Sequence, residues 1–149
     1  MTQFAELAKS RSGGVFRCHA TVPDDALERA ARHSLHVVPV QLGQVRDKNA
    51  FLTAVAHALR FPEYFGHNWD AFYDCLLDLV PADGAGTLLV LRDASAFARA
   101  EPDEFAAAVA VMQDAADYWE GEARTLAVVI EVDAPALAPE LAEITLPAM

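Results

Sequence analysis

The segment Phe61 to Val80, FPEYFGHNWDAFYDCLLDLV, holds the side chains best suited to chemistry. Asp70, Asp74 and Asp78 recur at intervals of four, with aromatic residues among them and no Lys or Arg anywhere from Phe61 to Leu91. Wound as a helix behind an Asn68 N-cap, the stretch divides into two faces. Phe72, Cys75, Leu76 and Leu79 gather on one side, which is expected to meet a core. Asp70, Tyr73, Asp74 and Leu77 gather on the other, with Asp78 at its margin. Like charges at i and i+4 disfavour a helix by about 0.2–0.5 kcal/mol per pair. The helix dipole relieves this for Asp70 in the first turn, but not for Asp74 or Asp78. Carboxylates beside aromatics suit recognition of Arg and Lys on a protein partner. The competing reading is a solvated acidic face.

The elements that must position this segment alternate between strand and helix. Phe4 to Lys9 reads as a short helix, and Ser12-Gly13-Gly14 breaks the chain after it. Val15–His19 is a strand candidate, and Pro23-Asp24-Asp25 opens a helix to about His33. Leu35–Leu42 reads as a strand in which Pro39 demands an edge or a bulge, because proline donates nothing to a ladder. Asp47 caps a helix carrying Phe51, Leu52, Val55 and Leu59 at helical spacing. Thr87–Leu91 is a continuous apolar run, the pattern of a strand covered on both faces. A long helix starts near Glu101 and passes through Tyr118 and Trp119, expected at the core edge, with an auxiliary contact as the alternative, to end at Gly121. Thr125–Val132 is the last predicted strand, and the proline-bearing tail 133–149 is expected to be loose or packed as an appendage. This alternation predicts an α/β fold with a small parallel sheet: three core strands from residues 35–132, and a fourth if the βα unit of residues 1–34 joins. That unit is either an added structural layer or a second contact surface.

Composition narrows the function classes. The chain has 149 residues, a net charge of -11 and 54% hydrophobic residues, which excludes a disordered acidic polypeptide and favours one domain. The basic and acidic residues are segregated. Residues 1–60 hold 8 basic against 5 acidic side chains; residues 61–149 hold 3 against 17. Direct nucleic-acid binding needs clustered Lys and Arg and is not expected. No apolar run is long enough to span a bilayer, no N-terminal targeting pattern stands out, and two distant cysteines, Cys18 and Cys75, favour the cytoplasm. A metal site at His67, Asp70 and Asp74, with His57 nearby, lacks a complete ligand set, so no metal or other cofactor is expected. No phosphate-cradling glycine loop or nucleophile motif is present either, so the reading is a non-enzymatic protein.

Pro62 to Leu76, reading P-E-Y-aromatic-G-x-N-x-D-A-x-x-D-C-L, resembles the signature of the barstar family, intracellular inhibitors of the ribonuclease barnase. The resemblance covers roughly Leu35 to Val132. It implies a two-layer α/β fold, and a loop and helix that block a ribonuclease active site. The partner contacts it implies are Tyr64, Gly66, Asn68, Trp69, Asp70, Tyr73 and Asp74, with Asp74 entering the phosphate-binding pocket. Asp114, in VMQDAA, stands by helix position where family inhibitors carry a glutamate. Several positions depart from the pattern: Tyr73 replaces a Trp, Trp69 a Leu, Leu77 a Thr, Leu79 a Trp and His67 an acid. The implied function is inhibition of a small basic ribonuclease by a protein that is monomeric when free, as in immunity proteins. The alternative is a regulatory interaction module that has lost this inhibition.

Overall fold

Thr87 to Leu91 is buried along its whole length, as a central strand in a two-sided sheet must be. In the computed structural model the described residues are 2–4, 13–33, 35–62, 66–79 and 86–145. They form β1 (Thr2–Gln3), β2 (Gly14–Cys18), α1 (Asp24–Ala31), β3 (Leu35–Gln41), α2 (Lys48–Leu59), α3 (Trp69–Leu79), β4 (Gly86–Arg92), α4 (Ser95–Ala100), α5 (Pro102–Gly121), β5 (Leu126–Glu131) and β6 (Ala142–Thr145). The strands make one sheet in the order β1-β6-β2-β5-β4-β3, and every pairing is parallel. Beyond Phe4, the helix expected over Phe4–Lys9 falls outside the described residues, as does most of the loop after α3.

Alternation along the strands sends side chains to two separate cores. Leu89, Leu91, Val128 and Ile130 join Phe51, Leu52, Phe72, Phe97 and Met112 on one face, where α2, α3, α4 and α5 pack. Leu88, Val90, Ala127 and Val129 join Cys18, Val22, Ala26 and Ala30 on the other, under α1. The region of the family resemblance therefore keeps its helices on one face, and the N-terminal unit lays its helix on the opposite one. Pro39 sits on β3, the last strand in the sheet order, which pairs with β4 alone among the described residues, an edge position that tolerates a residue without an N–H.

The expected parallel α/β sheet is present, with β3, β4 and β5 as its core strands and β2 of the N-terminal unit as the fourth, and the structure adds to it: the tail supplies β6 beside β2, and β1 pairs with β6. Ala138, Leu141 and Ile144 are buried, and Arg17 of β2 donates to the carbonyls of Ala138 and Leu141 while its Nε lies 3.4 Å from Glu143. The tail has its own apolar and polar anchors, which its prolines masked. The short helix α4 was also missed: Phe97, buried within it, has too few neighbours for a helical period to show.

One buried carboxylate joins the N-terminal unit to the rest. Glu131, at the end of β5, is 6% exposed. It accepts the backbone N–H of Val22 at 2.7 Å and of Asp93 at 3.2 Å, with Arg92 Nε at 3.6 Å. Arg92 in turn donates to the Val22 carbonyl at 2.6 Å. The segments that follow β2, β4 and β5 thus meet on a single anion. Replacing it leaves two amides without an acceptor and Arg92 without its buried counter-ion, so Glu131→Ala is expected to lower the unfolding free energy by about 3 kcal/mol in urea titration. Glu131→Gln, which keeps an acceptor oxygen, should lose less. A loss below about 0.5 kcal/mol in both variants would refute the anchoring role.

Candidate functional site

The candidate segment is built from its cap outward. Asn68 Oδ1 accepts the N–H of Ala71 at 2.8 Å, starting α3 one residue later. Its Nδ2 reaches back to the carbonyl of Gly66 at 3.2 Å. A Cβ on Gly66 would stand 3.0 Å from that nitrogen, so a side chain there would press on the capping amide and shift it by a few tenths of an ångström. His67, between them, takes a left-handed backbone with φ of 48°.

Apolar contacts then set the rotation of α3. Phe72 and Leu76 are fully buried. Phe72 meets Phe51 edge to face at 5.6 Å, and Trp69 lies 5.9 Å from Phe51 and 6.1 Å from Phe72. Lys48 Nζ covers the outer side of the Trp69 ring at 5.4 Å from its centroid. Along the helix, Trp119 Nε1 of α5 donates to the Leu76 carbonyl at 3.3 Å. Cys75 and Leu79, expected in the core, are half-buried at its margin. Burial first, then Asp78 and Asp74, push the Cys75 thiol above its ordinary value, which disfavours the reactive thiolate.

With this rotation, Asp70, Asp74 and Asp78 are exposed together, and Tyr73 and Leu77 are half-buried between them. Successive carboxylates rise by about 6 Å along the axis. None of the three pairs with a cation among the described residues. The structure thus brings Gly66, Asn68, Asp70, Tyr73 and Asp74 onto one loop-helix unit. Trp69 belongs to the same unit but spends part of its ring against Phe51 and Phe72 as a prop. Asp114 is exposed on α5, the helix that packs beside α3. Tyr64 lies outside the described residues. The role of Lys48 escaped the sequence reading: a lone lysine carries no signal that its charge will rest on an indole 21 positions away. Among the described residues, no group of three or more His, Cys, Asp or Glu side chains could hold a metal ion. No helix is long and apolar enough to cross a membrane among them.

This unit sits in a stretch, residues 35–131, that matches the family model described as Barstar (barnase inhibitor). The chain belongs to the barstar family. The match ends at β5, so β1, β2, α1 and β6 lie outside the barstar-family region. No curated protein matches the sequence. Among solved structures, the chain is similar to the ORC2 protein of Aeropyrum pernix in its ADPNP-ADP complexes, with a TM-score of 0.61 and 12% identity over 96% of this chain and 45% of that one. It is also similar to Drosophila ORC bound to DNA, with a TM-score of 0.53 and 10% identity over 97% of this chain and 40% of that one. At such identities the likeness is one of fold, and this chain spans less than half of either protein. Its coverage does take in the elements that flank the barstar-family region.

The cap gives a direct test of how the unit is held. Asn68→Ala is expected to lower stability by about 1 kcal/mol and to raise amide exchange at Ala71. Asn68→Asp should restore most of it, since a carboxylate oxygen also accepts that N–H. Unchanged exchange at Ala71 in Asn68→Ala would show that the cap is dispensable.

Proposed function

We propose that this protein inhibits a small basic ribonuclease by covering its active site with the loop and first turns of α3. The observation that supports this most is the exposed Asp70-Asp74-Asp78 face, inside the barstar-family region and paired with no cation among the described residues. An active site that binds phosphodiesters concentrates Arg, Lys and His. A carboxylate on a rigid helix pairs with the same groups and imitates the charge of the substrate. Asp74, in the middle of the face, is the residue assigned to the phosphate pocket. Asp70 and Tyr73 flank it, and Gly66, Asn68 and Tyr64 supply the loop side of the contact.

The acidic surplus after residue 60 serves the encounter itself. A basic enzyme approaching a negative surface associates faster, and salt reduces the advantage. In this reading the protein acts without catalysis or cofactor, as a monomer in the cytoplasm, and RNA is the ligand it excludes.

Calorimetric titration against a panel of small basic ribonucleases, barnase included, tests the proposal together with an RNA-cleavage assay. The expected outcome is saturable inhibition at a 1:1 ratio, slower association at high salt, and a loss of at least about 30-fold in affinity for Asp74→Ala. Binding that ignores Asp74→Ala would overturn the assigned mode. Binding of the ribonucleases without any protection of RNA would favour a regulatory interaction module instead.

A further inference from the structure

The carboxyl ends of β2, β3, β4 and β5 open onto one cavity of about 360 Å³. Thr21 lies just beyond β2, Gln41 ends β3, Arg92 and Asp93 close β4, and Glu131 ends β5. Topology makes this opening. After β2 the chain leaves for α1, on the face of the second core, and runs toward β3. After β5 it leaves the other way, past Ala138 and Leu141 on the face of the first core, toward β6. β2 and β5 are neighbours, so the two connections part between them and leave a crevice. In open parallel α/β sheets such a crevice is the general place for a ligand, and about 300–1,000 Å³ accommodates a small molecule. β2 and α1 lie outside the barstar-family region, so residues 35–131 alone do not enclose this one.

The walls are fixed, and most of their charge is already used. Glu131 is occupied by the amides of Val22 and Asp93 and by Arg92. Arg92 is shared further with Asp24 and the Val22 carbonyl. At the rim, Asp133 is paired with Arg99, and His19 Nδ1 lies 3.2 Å from Glu143. Asp93 is the exception. Its N–H is held by Glu131, its backbone is left-handed with φ of 55°, and its Oδ2 lies so close to Gly43 that a Cβ there would stand 2.9 Å away. Its own carboxylate is exposed and pairs with no cation among the described residues. Thr21 and Gln41, both exposed, add a hydroxyl and an amide to the same cavity.

This lining selects a class of ligand. An anion is disfavoured, because Asp24 and Asp25 already fill the first turn of α1 and Asp93 faces no cation. One uncompensated negative charge beside a hydroxyl and an amide suits a primary ammonium that carries a hydroxyl close by. The ammonium pairs with Asp93, and the hydroxyl exchanges hydrogen bonds with Gln41 and Thr21. We propose that this crevice binds a small hydroxyl-bearing primary amine, an amino alcohol or amino sugar, with Asp93 as its counter-ion. Such a ligand touches Thr21 of the N-terminal unit and Asp93 of the barstar-family region together, and so stabilises the folded junction between them. The site does not involve α3, and either reading stands or falls without the other.

Ethanolamine, serinol and glucosamine are the probes, titrated in amine-free phosphate buffer and followed by amide chemical shifts and thermal unfolding. Ethylene glycol, glycerol and glucose serve as matched compounds without the ammonium. At least one amine is expected to give saturable shifts at Thr21, Asp93 and Asp133 with a Kd below about 1 mM, and to raise the unfolding temperature. Its neutral counterpart should do neither at the same concentration. Asp93→Asn keeps a side chain that tolerates the left-handed backbone, and is expected to weaken the amine about tenfold or more. Thr21→Val, on the exposed rim, should weaken it about threefold. The absence of saturable shifts with every amine up to about 10 mM overturns the proposal. So does an affinity that Asp93→Asn leaves unchanged, or a neutral compound that binds as well as its amine.

Discussion

The acidic face exists because Phe72 is buried where it is. A helix can turn only one side to a sheet, and Phe72, held against Phe51 and Phe61 with Leu76 one turn on, decides which side that is for α3. Burying two such side chains contributes about 1.5–3 kcal/mol each. That exceeds the roughly 0.2–0.5 kcal/mol that each Asp–Asp pair at i, i+4 works against the helix. The repulsion is therefore tolerated, and the carboxylates stay where solvent or a partner can reach them. Loss of the aromatic anchor would free α3 to rotate, and a charge pattern without a fixed direction cannot be complementary to anything.

Residues 35–131 carry the family match, yet they do not finish the sheet. β2 covers the side of β5 that β4 leaves open, β6 covers the far side of β2, and Glu131 fastens the Val22 segment to the β2–β5 junction. The central strands β4 and β5 are apolar on both faces, so their second face needs cover, and α1 provides it. In energetic terms the N-terminal unit and the tail are part of the core rather than ornaments on it. The structural likeness to much larger proteins runs through these elements as well, as expected if the whole sheet is the folding unit.

Much of this was legible because period and punctuation agreed. Asp47 and Asn68 were readable as caps, and both accept the expected third N–H after them. Pro39 announced an edge, and Thr87–Leu91 a covered strand. The strand in the tail was not foreseen because three prolines outweighed one short apolar pattern at Leu141 and Ile144, whose strand character depends on a partner, β2, more than a hundred residues away. Glu131 looked like the polar end of a strand. A carboxylate that will be buried differs from an exposed one only by donors that the fold later brings to it, here Val22 N–H, Asp93 N–H and Arg92. Tyr118 and Trp119 were one feature in sequence and are two in space: the first is open, the second is buried.

The two kinds of carboxylate in this chain show how one residue type is put to opposite uses. Glu131 is surrounded by donors of its own chain, so its charge is spent inside the molecule and stabilises a junction. Asp133 is likewise committed, its carboxyl held below the ordinary range by the hydrogen bond from Arg99. Asp70, Asp74 and Asp78 have no such cation among the described residues, although α1, β4 and α4 carry arginines that pair with acids elsewhere. An arginine placed one turn along α3 would ease the repulsion and cancel the field that a basic partner would meet. Leaving those three aspartates unpaired works against the free protein and favours only a state in which something else supplies the cations. That asymmetry, more than the net charge of the chain, is the physical ground for reading α3 as a binding surface.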